Sequence, residues 1–195
     1  MRLFGLTGGV GMGKSTCANL IRSVGLQVID TDDLARSLTE PGQPAVREIA
    51  KEFGGHLVDS SNCLDRRALA QIVFRNSQAR SALESILHPK ILAAWKDVVD
   101  DWKRQGIELG VVVIPLLFET GAESHFNATL CVACSRATQL GRLRQRGWSD
   151  EESTNRIAAQ LPVEDKIAKS DFVIWSEGDP SVLMPQIERV WRASR

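Results

Sequence analysis

No sign of charge dominates this chain: Lys and Arg together number 24, Asp and Glu together 24, and the formal net charge is zero. A global basic field that would draw the protein to nucleic acid or to an anionic membrane is therefore missing, and any anion site must be local. No apolar run approaches the ~20 residues that span a bilayer, and the "LFGL" ahead of the first glycines is too short for a secretory core. A cytoplasmic protein, with neither nucleic acid nor membrane as partner, is expected. Cysteine is sparse at four residues, and only Cys131 and Cys134 lie close together. Their setting, "TLCVACS", reads as a strand, which points residues three apart to opposite faces. Buried inert thiols are expected there, not a redox or zinc pair. Cys17 and Cys63 add no ligand cluster, and there is neither an internal repeat nor a low-complexity tract.

What is present begins with alternation. The 195 residues suit a single domain. Short apolar runs at "RLFGLT", "LQVID", "LGVVVIPLLF", "ATLCVAC" and "DFVIW" read as five strands separated by helical segments. The third is the most apolar, as in a strand buried on both faces of a parallel sheet. The pattern predicts an α/β fold with a doubly wound, five-stranded parallel sheet, and ligands at the carboxyl ends of the strands. Between the second and third strands only helices are expected, in "DDLARSL", "PAVREIAKEFGG", "DRRALAQIVF" and "QARSALESILHPKILAAWKDVVDDW". That excess over one crossover helix predicts an inserted helical cap over about 31–107. Ser135 caps a helix through "RATQLGRLRQR", and Ser149 with Glu152 forms an S-x-x-E box for another, ended by Pro162. The two predict a lid over about 136–167. The core is then 1–30, 108–135 and 168–195. The five tryptophans read as packing or partly exposed residues, not a base-stacking platform, with Trp148 in the lid turn placed to report closure.

The most specific signal is Gly8-x4-Gly13-Lys14-Ser15, a G-x-x-x-x-G-K-[ST] phosphate loop set between a strand and a helix. Its glycines let backbone N–H groups from Gly9, Gly11, Met12 and Gly13 turn toward a phosphate chain, and the helix entered through Lys14, Ser15 and Thr16 adds its positive end. Lys14 is expected on the β and γ phosphates of ATP, and Ser15 on Mg²⁺. Neither an N-K-x-D nor a D-x-x-G motif of regulatory GTPases occurs, nor the L-S-G-G-Q of transporter ATPases, and the third strand runs into Pro115 instead of an acid. A kinase for a small molecule remains. Such an enzyme needs a carboxylate near the acceptor hydroxyl, and "IDTDD" supplies it. If the chain stays extended there, Asp30 and Asp32 face the same side; Asp32 is expected as the base, Asp30 assisting through magnesium waters or backbone capping, and Asp33 as a helix cap. Arg142 and Arg146, four apart on one helix, are expected to clamp phosphates, near Arg136 and Arg144.

The segments "GLTGGVGMGKST", "VIDTDDLAR", "EPGQPA", "LDRRAL", "LHPKI", "VVIPLLFE", "RIAAQ" and "KSDFVIWSEG" resemble, in order and spacing, the dephospho-coenzyme A kinase family over essentially the whole chain. The resemblance implies a P-loop kinase fold and transfer of the ATP γ-phosphate to the ribose 3′-hydroxyl of dephospho-coenzyme A, the last step of coenzyme A synthesis. It matches Asp30-Thr31-Asp32 to an Asp-Ala-Asp whose second acid is the base. It places His88, alone a helix-boundary residue before Pro89, with Leu116 and Phe118 near the acceptor, Arg142 on ATP phosphates and Gln160 at the end of the lid. Two positions depart from the family. Met12 replaces a small residue, tolerable if its side chain points outward. Ser176-Glu177-Gly178 replaces Asn-x-Gly: if backbone groups contact adenine, ATP preference is kept; if the asparagine side chain does, base selectivity relaxes. A kinase for nucleoside monophosphates or another small molecule, or a nucleotide-binding module without phosphotransfer, are the rivals. Oligomeric state is left open.

Overall fold

The computed structural model describes residues Met1–Ala193; Ser194 and Arg195, where the expected core ends, lie outside the described residues. In chain order the elements are β1 (Arg2–Thr7), α1 (Lys14–Ser23), β2 (Gln27–Asp30), α2 (Thr31–Leu38), α3 (Pro44–Phe53), α4 (Arg66–Arg75), α5 (Ser77–Arg104), β3 (Leu109–Val113), β4 (Ala128–Ala133), α6 (Arg136–Gln145), α7 (Asp150–Ala158), α8 (Val163–Lys169), β5 (Phe172–Trp175) and α9 (Leu183–Ala193). The five strands form one sheet in the order β2-β3-β1-β4-β5. β1 runs parallel to β3 on one side and β4 on the other, and β4 parallel to β5. The strand order thus reverses around β1, the switch point at which open α/β sheets bind ligands.

Two compact units make up the described residues, Met1–Ile29 with the described residues from Trp102 onward, and Asp30–Asp101. The first holds the sheet. Phe4 and Leu6, Val111 and Val113, Leu130 and Val132, and Ile174 alternate along their strands and meet Cys17, Ala18 and Ile21 of α1 and Leu183, Ile187 and Val190 of α9. Each of the Val, Leu, Ile and Phe side chains contributes roughly 1.5–3 kcal/mol by leaving water. Phe4 meets Trp191 edge to face with centroids 5.0 Å apart. α1 places Cys17, Ala18 and Ile21 on one stripe, and Gly25 ends it at φ 83°.

The second unit is helical, around buried Ile49, Leu57 and Leu69. Asp65 caps α4 by accepting from the N–H groups of Arg67 and Ala68, and Arg66 donates to the carbonyls of Arg36 and Thr39, tying α4 to the end of α2. α5 runs unbroken through Pro89, so His88 does not mark a helix boundary. Proline removes one interior hydrogen bond; His88 and Pro89 are both exposed, on the side where water can serve the orphaned carbonyl.

Two helices were not expected from the sequence. α8 has a lysine, Lys166, as its buried residue, so no apolar periodicity announces it. α9 does carry the signal, with Leu183, Ile187 and Val190 at helical spacing, behind Pro185 in its first turn. The helix expected to reach Pro162 ends as α7 at Ala158. No helix among the described residues is long and apolar enough to cross a membrane.

Candidate active site

β1 hands the chain to the glycine loop at Thr7. At Gly8, with φ 145°, a Cβ would stand 2.2 Å from the carbonyl oxygen of Val132 in β4, so only glycine lets the loop leave the sheet there. Gly13 then caps α1 in the left-handed region, at φ 95° and ψ 13°, with no side chain covering the helix end. The first intrahelical bond is Cys17 N–H to the Gly13 carbonyl. The Met12 N–H donates to the Gly9 carbonyl at 3.2 Å, the first turn of α1 carries no acidic residue, and the positive end of the helix there suits an anion. Lys14 lays its ammonium across the loop, donating to the carbonyls of Gly8 at 2.8 Å and Gly9 at 3.0 Å.

Met12 does not take the outward course on which its tolerance was conditioned. Its side chain points inward and is 2% exposed, with Sδ accepting from the Cys134 N–H at 3.2 Å and lying 3.4 Å from the Cys134 thiol. An unbranched thioether fills the irregular space where β4 ends, which an outward-pointing side chain would leave open. Val10, at the loop's crest, is hydrogen-bonded through both backbone groups to Gln139 and Gln160.

Across the loop lies the turn after β5. Ser176 is buried; its hydroxyl donates to the Met12 carbonyl at 2.6 Å and accepts from Arg142 Nη1 at 2.9 Å, while Arg142 Nη2 donates to the Ser176 carbonyl at 2.5 Å. Both arms of the guanidinium fork are thus fixed on one residue. Glu177 accepts from the Ser135 N–H at 2.8 Å, the Ser135 hydroxyl at 3.0 Å and the Thr138 hydroxyl. Its negative charge meets the positive end of α6, and Thr138 above all holds its carboxyl below the usual range. A cleft of about 370 Å³ opens among Gly11, Gly13, Thr16, Arg142, Arg146 and Ser176, and continues to Gly178–Pro180 and Leu183. Arg142 belongs to α6 and Arg146 closes it. Arg144 pairs instead with Asp150 at 2.8 Å, and Arg136 donates to Gln139.

Not every expected residue shares that cleft. Asp32 and His88 belong to the other compact unit and both are exposed. The chain is not extended at Asp32: α2 starts at Thr31, and Asp30, not Asp33, is its cap, accepting from the Asp32 N–H at 2.9 Å. The side-by-side placement expected from a two-residue period therefore does not hold. Asp33 pairs with Arg36 at 3.7 Å. Leu116 and Phe118, half-buried after β3, flank a fully buried Leu117 and do not line the cleft. Burial pushes the thiols of Cys17 and Cys131 up to about 12 and about 11, and that of Cys134 up as well. The hydroxyl of Ser15 is exposed on the first turn of α1. No cluster of three or more His, Cys, Asp or Glu among the described residues could hold a metal. A cation here would draw on one hydroxyl, phosphate oxygens and water, an oxygen set that suits Mg²⁺. Ser176, Gln139, Lys166 and the inward Met12 were missed, because each works through partners distant in sequence.

The family model described as dephospho-CoA kinase matches residues 2–180. The chain is 42% identical over 191 residues to the dephospho-CoA kinase of Anaeromyxobacter dehalogenans, covering 97% of this chain and 90% of that protein. Its fold is similar to that of TT1252 from Thermus thermophilus, with a TM-score of 0.84 and 34% identity, covering 98% and 96% of the two chains. Dephospho-CoA kinase from Campylobacter jejuni superposes at a TM-score of 0.72 with 27% identity, covering 100% and 98%. With a phosphate loop, a helix N-terminus and two arginines around one cleft, and likeness over nearly its whole length, this chain belongs to the dephospho-CoA kinase family.

Proposed function

We propose that this chain transfers the γ-phosphoryl group of ATP to the ribose 3′-hydroxyl of dephospho-coenzyme A. The observation that carries this is the single cleft in which the glycine loop, the open end of α1 and the pinned Arg142 meet. The backbone of Gly9 and of Gly11 to Thr16 binds the triphosphate, and Lys14 swings from the loop carbonyls to the β and γ oxygens. Ser15 would hold Mg²⁺ together with phosphate oxygens and water, and the ion would there supply neutralisation of phosphate charge. Asp32 takes the proton of the acceptor hydroxyl. That oxygen bonds to the γ-phosphorus as the bond from phosphorus to the β–γ bridging oxygen breaks, and ADP leaves. Arg142 and Arg146 spread the charge of the transferring group. Residues 31–107 serve as an acceptor cap that includes His88, Leu116 and Phe118 approach the acceptor from the end of β3, and residues 136–167 form a lid that excludes water.

ADP release with ATP and Mg²⁺ is expected with dephospho-coenzyme A, and neither with adenosine monophosphate nor without acceptor. The product should gain one phosphate by mass. Turnover with adenosine monophosphate alone would sink the assignment. Asp32→Asn is expected to retain ATP binding and to lose roughly 10²–10⁴-fold in kcat; unaltered turnover removes Asp32 from the base role.

A further inference from the structure

Val10 is the only crest residue of the phosphate loop whose two backbone groups are both taken by side chains in the hydrogen bonds above. Its N–H donates to Gln160 Oε1 at 2.9 Å, and its carbonyl accepts from Gln139 Nε2 at 2.7 Å. The amide orientations are forced, because a backbone N–H only donates and a carbonyl only accepts. In a trans peptide the carbonyl and the following N–H point opposite ways. Holding the Val10 carbonyl on Gln139 therefore turns the N–H of Gly11, a cleft residue, away from Gln139.

Both glutamines are themselves held. Gln139 is 2% exposed, and its oxygen accepts from Arg136 at 3.0 Å. Gln160 precedes Leu161, whose N–H donates to Glu119 at 2.9 Å. The same carboxylate takes the ammonium of Lys166, at 2.8 and 3.1 Å, and that side chain is fully buried. Lys166 also donates to the Pro115 carbonyl at 2.7 Å, which accepts from the Thr7 hydroxyl at 3.1 Å. The chain of bonds starts at the end of β1 and returns to the loop that β1 feeds. An ion pair that buries its lysine is a poor way to add stability, since desolvation of the ammonium offsets the attraction; fixing a geometry is a use that suits this one.

We infer that Gln139 and Gln160 are positioning residues for nucleotide binding, Gln139 as hydrogen-bond donor and Gln160 as acceptor, with the Glu119–Lys166 pair setting where Gln160 stands. The inference deepens the kinase reading and rests on it for the identity of the nucleotide. Removing Glu119 would leave a buried charge unpaired and endanger the fold, so the glutamines are the sites to change.

Gln160→Glu keeps an acceptor for Val10, whereas Gln139→Glu replaces the donor by a carboxylate facing a carbonyl. Each adds the same charge. In calorimetric titration with MgATP, Gln160→Glu is expected within about threefold of the parent and Gln139→Glu about tenfold or more weaker, the effect of one lost hydrogen bond with an orphaned partner. Gln139→Met, uncharged and of similar volume, should weaken ATP to a similar degree and serves if Gln139→Glu does not fold. Equal losses in the two Glu variants, or melting temperatures that fall while ATP affinity stays unchanged, overturn the inference. A parent protein that binds ATP but does not phosphorylate dephospho-coenzyme A overturns the kinase reading and leaves the loop inference standing; one that binds no ATP overturns both.

Discussion

The loop after β1 and the turn after β5 border the same cleft from the carboxyl ends of two parallel strands, yet they are built differently. The first uses backbone: glycines, an uncovered helix end, and a lysine lying on its own loop carbonyls. The second uses side chains: Ser176 pins Arg142 and the Met12 carbonyl, and Glu177 caps α6. A site made of backbone depends on the conformation of about eight consecutive residues, and so leaves a spacing motif. One made of side chains depends on what the fold brings opposite, and leaves none.

The largest effect should come from breaking the backbone side. Gly8→Ala puts a methyl 2.2 Å from the Val132 carbonyl at a φ that side chains rarely adopt. ATP binding is expected to vanish in calorimetry, with a lowered melting temperature; retained binding would mean the loop tolerates what its geometry forbids.

Changes on the side-chain side should be graded. Arg142→Lys keeps the charge but cannot serve both the hydroxyl and the carbonyl of Ser176; kcat is expected to fall roughly 10²-fold or more, as for loss of a group aimed at transition-state charge. Ser176→Ala keeps the arginine and its bond to the backbone carbonyl of residue 176 but removes the hydroxyl that holds its other arm, while leaving the Met12 carbonyl without its donor. A rise of about tenfold in KM for ATP, with a smaller drop in kcat, is expected. Should Ser176→Ala match Arg142→Lys in kcat, the serine does more than position.

The smallest effect concerns Glu177. Its folded-state pKa is lowered, Thr138 first among the causes, so its contribution to stability is present above the unfolded carboxyl value of about 4.3. It is lost as pH falls through the folded value. Glu177→Gln should therefore lower the melting temperature near neutrality and flatten its decline in acid, read by thermal melts at several pH values. An identical acid slope in variant and parent would show that the carboxylate is not the group titrating.

Legibility follows the same division. The five strands were readable because each is a short apolar run, and the phosphate loop because its chemistry is local. The extended course on which a facing pair of Asp30 and Asp32 depended does not hold, because α2 begins one residue after Asp30; a helix start makes Asp30 the backbone cap that was one of its expected roles and Asp32 the N–H it accepts from. The inward course of Met12 was not legible because nothing near it in sequence reveals Cys134, 122 residues on, as its neighbour. α8 was hidden because its buried position is Lys166, a residue whose burial makes sense only beside Glu119.

By itself the sequence determined the α/β alternation, the anion-binding loop and the family, since apolar periodicity, glycine spacing and motif order are properties of neighbours along the chain. Only the tertiary structure decided the strand order around β1, the anchoring of Arg142 by Ser176 and the grip of Gln139 and Gln160 on Val10. Those rest on hydrogen bonds between residues 34 to 150 positions apart, whose partners no local pattern can name.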